Sequence, residues 1–426
     1  MRRAGRPAAR GLALAALVLF TLTIAGCGGG ASSAGGGSGG DSCTGAVGPG
    51  LFFAASDGAS GVELWKSNGT DAGTVCVKNI NPGAGSGPLG LTVFNGALYF
   101  LANDGASGAE LWKSDGTVAG TVLVKDIHPG PVGSSPFGFT VFNAALYFQA
   151  NDGASGAELW KTDGTGVGTV LVKDINPGPG NSAPLGMTVF NGALYFAAND
   201  GASGFELWKT DGTASGTVLV KDINPGPIGS SPSGFTVLNG ALYFQASDGA
   251  PGLEFWKTDG TGAGTVLVKN WAVTSFPGGF TVFNGALYLQ ADDGVSGMEL
   301  WKSDGTLAGT VLVKDINPGA GMSFPNGFAV FNGALYFQAN DGTSGIELWK
   351  TDGTPAGTVL VKDISPGGTN SNPSGLTVFN GALYFQADDG TSGIELWKTD
   401  GTDAGTVLVK DINPTGNSSP TQLTPF

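Results

Sequence analysis

Histidine occurs once in this chain, at position 128, and arginine does not occur after position 10. Each absence removes a class of chemistry. Without a second histidine, and with His128 in a stretch where other repeats carry Asn176, Asn224 or Asn317, no Ser-His-Asp or Cys-His set can be assembled. A His/Cys metal cluster is excluded on the same ground. Beyond Arg10 there are 16 lysines against 34 Asp and Glu, a formal charge of −18. Nucleic-acid binding depends on Lys and Arg neutralising phosphates, so that class is set aside, and anionic membrane surfaces are disfavoured too. The repeated part of the sequence also lacks any helical period.

The first 26 residues read as a processing signal. Arg2, Arg3, Arg6 and Arg10 form a positive segment, followed by an apolar stretch from Leu12 to Ile24. That stretch is short of the ~20 apolar residues a membrane-spanning helix needs. It ends in Ile24-Ala25-Gly26-Cys27, which resembles the lipobox of bacterial lipoproteins. The resemblance implies cleavage before Cys27 and acylation of that residue; an ordinary signal peptide with a chance cysteine is the alternative. Arg2-Arg3 alone does not make a twin-arginine signal. Residues 27–44 then form a tether, with Gly28 to Ser42 almost entirely Gly, Ser and Ala. Such a tract buries too little apolar surface to order itself and spans roughly 20 Å on average. The expected address is the bacterial cell envelope, outer membrane or cell surface, with the membrane contacted through the lipid alone.

With Cys27 assigned to the anchor, Cys43 and Cys76 are left. An even pair in an exported protein favours one disulfide, with two free thiols as the alternative.

Residues 45–426 are a repeat. Tryptophans recur at 65, 112, 160, 208, 256, 301, 349 and 397, spaced by 47, 48, 48, 48, 45, 48 and 48 residues. One unit reads GMTVFNGALYFAANDGASGFELWKTDGTASGTVLVKDINPG. Asn191-Gly192 sits between two short β-type runs, a strong hairpin signal because both turn positions need positive φ. Asp211-Gly212-Thr213 marks a second hairpin, and Asp200 to Gly204 joins the two. Four antiparallel strands in about 47 residues describe a propeller blade better than a coil of a β-helix. The expected fold is therefore all-β: an eight-bladed β-propeller of four-stranded antiparallel blades. The first repeat lacks a good first strand, and Leu423 to Phe426 aligns with Leu376 to Phe379. The C-terminal strand is expected to close the ring, with Ala46-Val47 as the rival. Pro425 suits an innermost strand, which has one unpaired edge.

The pattern Glu-Leu-Trp-x-x-Asp-Gly-Thr-x-x-Gly-Thr resembles the bacterial ELWxxDGT repeat family over nearly all of Leu51 to Phe426. Blade five departs with Glu254-Phe255-Trp256 and blade one with Asn68-Gly69-Thr70. The resemblance implies an exported or surface-anchored repeat protein and brings no established reaction. The turn is also similar to the Asp-box of sialidase propellers, but the arginine cluster those enzymes need is absent.

Most conspicuous residues have a structural reading. Pairing Ser114 with Thr121 puts Trp112 opposite Leu123 and Glu110 opposite Lys125. The tryptophans then pack between blades, or else form sugar platforms. The Glu–Lys pairs read as cross-strand ion pairs, since a ring of equal carboxylates lacks the separated pKa values that acid–base catalysis requires. His128 reads as a substituted loop asparagine. Asp57, Asp104, Asp152, Asp200, Asp248, Asp293, Asp341 and Asp389 always precede glycine, on the face carrying the long DINPGP-type connections. They cap turns or bind a divalent ion such as Ca2+ weakly; neither a cofactor nor catalytic residues are otherwise expected. Symmetry breaks where KNWAVTSFPGGF drops three residues, so Trp271 with Asp292 and Asp293 is the expected ligand site. The functional expectation is a monomeric, non-enzymatic, lipid-anchored platform for a protein or glycan. Its rival is an extracellular Ca2+-assisted glycan hydrolase or lyase.

Overall fold

The computed structural model describes residues 43, 50–271 and 275–426. The signal segment, Cys27 and the tether except Cys43 lie outside the described residues. Among the described residues all regular structure is β-strand, arranged as eight four-stranded antiparallel sheets. The eight sheets form a ring, a β-propeller of eight blades.

Blade four shows how the repeat folds. Its strands, from the axis outward, are Leu185–Phe190, Ala193–Asn199, Phe205–Thr210 and Val218–Lys221. Asn191 and Gly192 both take positive φ, 45° and 73°, and join the first two strands in a tight hairpin. The two middle strands pair in unbroken register, with Phe196 opposite Trp208. Bulges interrupt the other two ladders, between Leu185 and Thr188 and between Leu207 and Trp208. They add twist to the blade.

Blade one is composite. Its innermost strand is the C-terminal Thr421–Pro425, paired with Leu51–Ser56. Gly50 and Phe426 exchange both backbone bonds, at 3.0 and 2.9 Å, which leaves Pro425 opposite Leu51 where no ladder N–H is required. Cys43 and Cys76 form a disulfide, S–S 2.03 Å, tying residue 43 to the outermost strand of the same blade.

Blades adhere through apolar seams. Phe94, Tyr99, Leu111 and Ile127 of blade two pack on Leu146, Phe148, Ala150 and Trp160 of blade three, all nearly devoid of exposure. Trp112 does lie opposite Leu123, and Ser114 meets Thr121 at 2.7 Å. The expected Glu110–Lys125 pairing is corrected. A bulge between Leu111 and Trp112 shifts the register so that Lys125 faces Leu111. Its ammonium crosses instead to blade three, donating to the Thr169 carbonyl at 2.7 Å beside the Trp160 ring. Lys113 likewise reaches the Gly164 carbonyl. Lysine therefore works as a screw between blades, and only two ion pairs occur among the described residues, Lys362–Asp403 and Lys410–Asp71.

Candidate functional site

The acidic turns are occupied by their own backbone. Asp104 Oδ1 accepts from the Ala106 and Ser107 amides at 2.9 and 2.8 Å, and Asp57, Asp152, Asp200, Asp293, Asp341 and Asp389 repeat the arrangement. Asp248 keeps the bond to Ala250. Burial draws the Asp104 carboxyl upward, but the amides of Ser107 and Ala106 outweigh it and hold it below the ordinary range. Each blade contributes one such carboxylate to its own turn. Among the described residues no three His, Cys, Asp or Glu side chains gather. The expected divalent-ion site is therefore not assembled, because Ca2+ takes six to eight oxygens converging on one point.

The glutamate of the ELW stretch has a role that pattern alone did not reveal. Glu158 is fully buried and pins the connection to the next blade: it accepts from the Ile175 amide at 2.7 Å, the Ser182 amide at 2.8 Å and the Ser182 hydroxyl at 2.6 Å. Glu110 binds Ile127, His128 and Ser134 in the same manner. His128 is thus one of the loop residues held by Glu110, with its imidazole packed over Gly153. Blade five departs. Among the described residues, Glu254 accepts the Asp248 amide of its own blade at 3.2 Å, and Ser275 is engaged with Asp292 and Leu253 instead. Burial, and then the Asp248 carboxylate, push Glu254 up to about 7.

The expected ligand site at the blade five–six junction is also corrected. Trp271 is buried, edge-on to Trp301 at 5.9 Å, with the Lys269 ammonium 5.3 Å from one ring and 4.9 Å from the other. The indole takes the core position that Ile175, Ile223 and Ile316 hold in other blades, so it is packed and not presented for stacking. Asp292 caps Gly294, and Asp293 caps its own turn.

A large concave feature of the described residues is on the axis, where no candidate residue was placed. A cavity of about 910 Å3 is walled by the innermost strands of all eight blades. Its lining repeats a Gly-apolar-Thr triplet on six blades, as in Gly90-Leu91-Thr92, Gly138-Phe139-Thr140 and Gly186-Met187-Thr188, while blade seven has Gly327-Phe328-Ala329 and blade one Gln422-Leu423-Thr424. On blade four the glycine is required twice over. Gly186 has φ +68°, and a Cβ there would meet the Phe235 ring of the next blade at 2.9 Å. The threonines stitch neighbours together, as when Thr236 donates to the Phe280 carbonyl at 3.1 Å. Blade one carries Gln422 in the glycine position, at φ 60°, and its amide oxygen accepts from the Gly90 N–H at 3.2 Å. The recurring Gly-apolar-Thr was the available signal, but only ring closure turns eight separate strands into one wall.

No protein-family model and no curated protein sequence matches the chain. Solved structures share its fold. A puromycin hydrolase matches with a TM-score of 0.50 at 14% identity, over 83% of this chain and 57% of its own. A puromycin-hydrolyzing peptidase of Mycobacterium tuberculosis matches with a TM-score of 0.50 at 9% identity, over 77% of this chain and 54% of its own. The chain thus spans little more than half the length of these structures, and at such identities the likeness shows the fold. Their identity nevertheless overturns the functional expectation. The propellers that superpose here belong to a hydrolase and a peptidase, so neither the non-enzymatic platform for protein or glycan nor the Ca2+-assisted glycan hydrolase or lyase is retained.

Proposed function

We propose that this chain is the substrate-receiving propeller of a peptide-cleaving system, taking an extended peptide segment into its axial cavity. The cavity walled by all eight innermost strands carries the reading. Its volume suits a few residues of extended chain. The inner edge of each sheet offers unpaired groups to a strand-like guest, and at Gly138 the space beside the backbone is open. The likeness to hydrolase and peptidase propellers points to a peptide rather than another polymer. The cleaving groups are assigned outside residues 1–426, because the one histidine of this sequence lies in a blade connection, against Gly153.

The test is fluorescence anisotropy of labelled hexapeptides with the purified full chain, compared with a Thr281→Trp variant that obstructs the cavity. Saturable binding lost in the variant, with an unchanged melting temperature, supports the reading. Equal binding by both proteins overturns it.

The same reading includes export and anchoring through an acylated Cys27, supported by the lipobox-like sequence and the Gly/Ser tether. Replacing Cys27 by Ala should move the protein from the membrane to the soluble fraction, and retention in the membrane would refute the anchor.

A further inference from the structure

The mouth of the axial cavity is not eightfold. The residue preceding each collar glycine is large and apolar on three consecutive blades: Leu89, Phe137 and Leu185 on blades two, three and four. These side chains are 37, 42 and 40% exposed. On the following blades the same position holds Ser233, Gly278, Asn326 and Ser374, and on blade one Thr421. In a ring of eight, blades three and seven are diametrically opposed. Phe137 and Asn326, both in the cavity wall, therefore face one another across the axis.

The second strands reinforce the division. Opposite Ser233, Gly278, Asn326 and Ser374 stand Gln245, Gln290, Gln338 and Gln386. Opposite Leu89 and Leu185 stand Leu101 and Ala197, whereas Phe137 has Gln149 behind it. Ser233 and Ser374 each accept a 2.7 Å bond from the neighbouring glutamine amide, which holds that amide in place. At Gly278 the missing side chain leaves room that the amides of Gln290 and Gln245 approach from two blades. At this position one arc thus carries large apolar side chains and the other carries hydroxyls and amides, with the exposed Phe276 and Phe324 two residues upstream on blades six and seven.

We propose that this amphipathic mouth selects peptides by presenting the polar arc to the backbone and the apolar arc to one bulky side chain. Amides and hydroxyls suit the alternating N–H and C=O groups of an extended chain, since each both donates and accepts. Leu89, Phe137 and Leu185, at the same register position on three successive blades, would take an aromatic or large aliphatic group, and Phe137, in the cavity wall, adds an edge or face contact to an aromatic one. The proposal rests on the peptide-receiving reading and assigns its substrate class: uncharged segments bearing a Phe- or Leu-like residue flanked by small ones.

The experiment uses the full chain and labelled hexapeptides with a single Phe among Ala and Gly, its Phe-to-Ala analogue, and an N-methylated version of the Phe peptide. The Phe peptide should bind on the order of tenfold more tightly than its Ala analogue, the discrimination an apolar pocket supplies. Phe137→Ser, an exposed substitution, should abolish that preference while the shared weak binding persists. Leu185→Ser should reduce it. Asn326→Leu should weaken both peptides and shrink the penalty for N-methylation. If peptides bind and Phe137→Ser and Leu185→Ser leave the preference intact, the division of the mouth is refuted while the peptide-receiving reading stands. If no hexapeptide binds the native chain, both fall.

Discussion

The periphery and the axis of this propeller use the repeat in opposite ways. At the periphery the copies are nearly interchangeable: Lys125, Lys173 and Lys221 each cross to the next blade's threonine carbonyl, at 2.7, 2.8 and 2.7 Å. Lys410, which closes the ring onto blade one, takes Asp71, its carbonyl at 3.3 Å and its carboxylate at 2.6 Å. At the axis the glycine is kept on seven blades and the threonine on seven, with Gln422 and Ala329 as the exceptions, while the residue before the glycine drifts from Leu89 to Asn326. Strict repetition marks positions whose neighbours are other copies, because a change on one blade disturbs the next. Drift is tolerated where a side chain faces the lumen, and there it can distinguish one ligand from another.

The sharpest way to break this comparison is to open the ring. Deleting residues 421–426 removes the inner strand of blade one and exposes the Leu51–Ser56 edge. A fall in melting temperature of more than about 10 °C, with aggregation, is expected in calorimetry and light scattering. A smaller but still large loss should follow Glu158→Ala, which strands the buried amides of Ile175 and Ser182. About 2–4 kcal/mol is expected in denaturant titration, with Glu158→Gln intermediate.

Blade five allows a subtler test. Glu254 is held near pKa 7, above its ordinary value of 4.5, so folding favours its protonated form. Its contribution is present below about pH 4.5 and is lost as pH rises through 7. Glu254→Gln should therefore raise the melting temperature at pH 8 by roughly 2–4 °C and leave it nearly unchanged at pH 4.5. Equal shifts at both pH values would refute the assignment. The smallest effect is expected at the hairpin of blade three, where Ala144 occupies the glycine position of other blades at φ 58°. A left-handed Ala costs about 1–2 kcal/mol, while Gly loses roughly 0.5–1 kcal/mol more in ordering. Ala144→Gly should therefore gain about 0.5 kcal/mol by chemical denaturation.

The Asn-Gly hairpins, the tryptophan period and the Leu423 alignment were legible because each depends on local geometry or on counting. The blade and its closure followed from them. Glu110 was misread for a physical reason: a single bulge between Leu111 and Trp112 moves the partner of Lys125, and bulges leave little trace in alternation. Trp271 looked like a ligand platform because it breaks symmetry. Its burial against Trp301 became visible only with the seam in place.

By itself the sequence determined strand, turn and repeat number, because these rest on backbone preferences within a few residues and on periodicity along the chain. The axial cavity and the opposition of Phe137 to Asn326 were decided by the tertiary structure alone. Those residues lie 189 positions apart in the chain, and only closure of eight blades into a ring brings their side chains to one lumen.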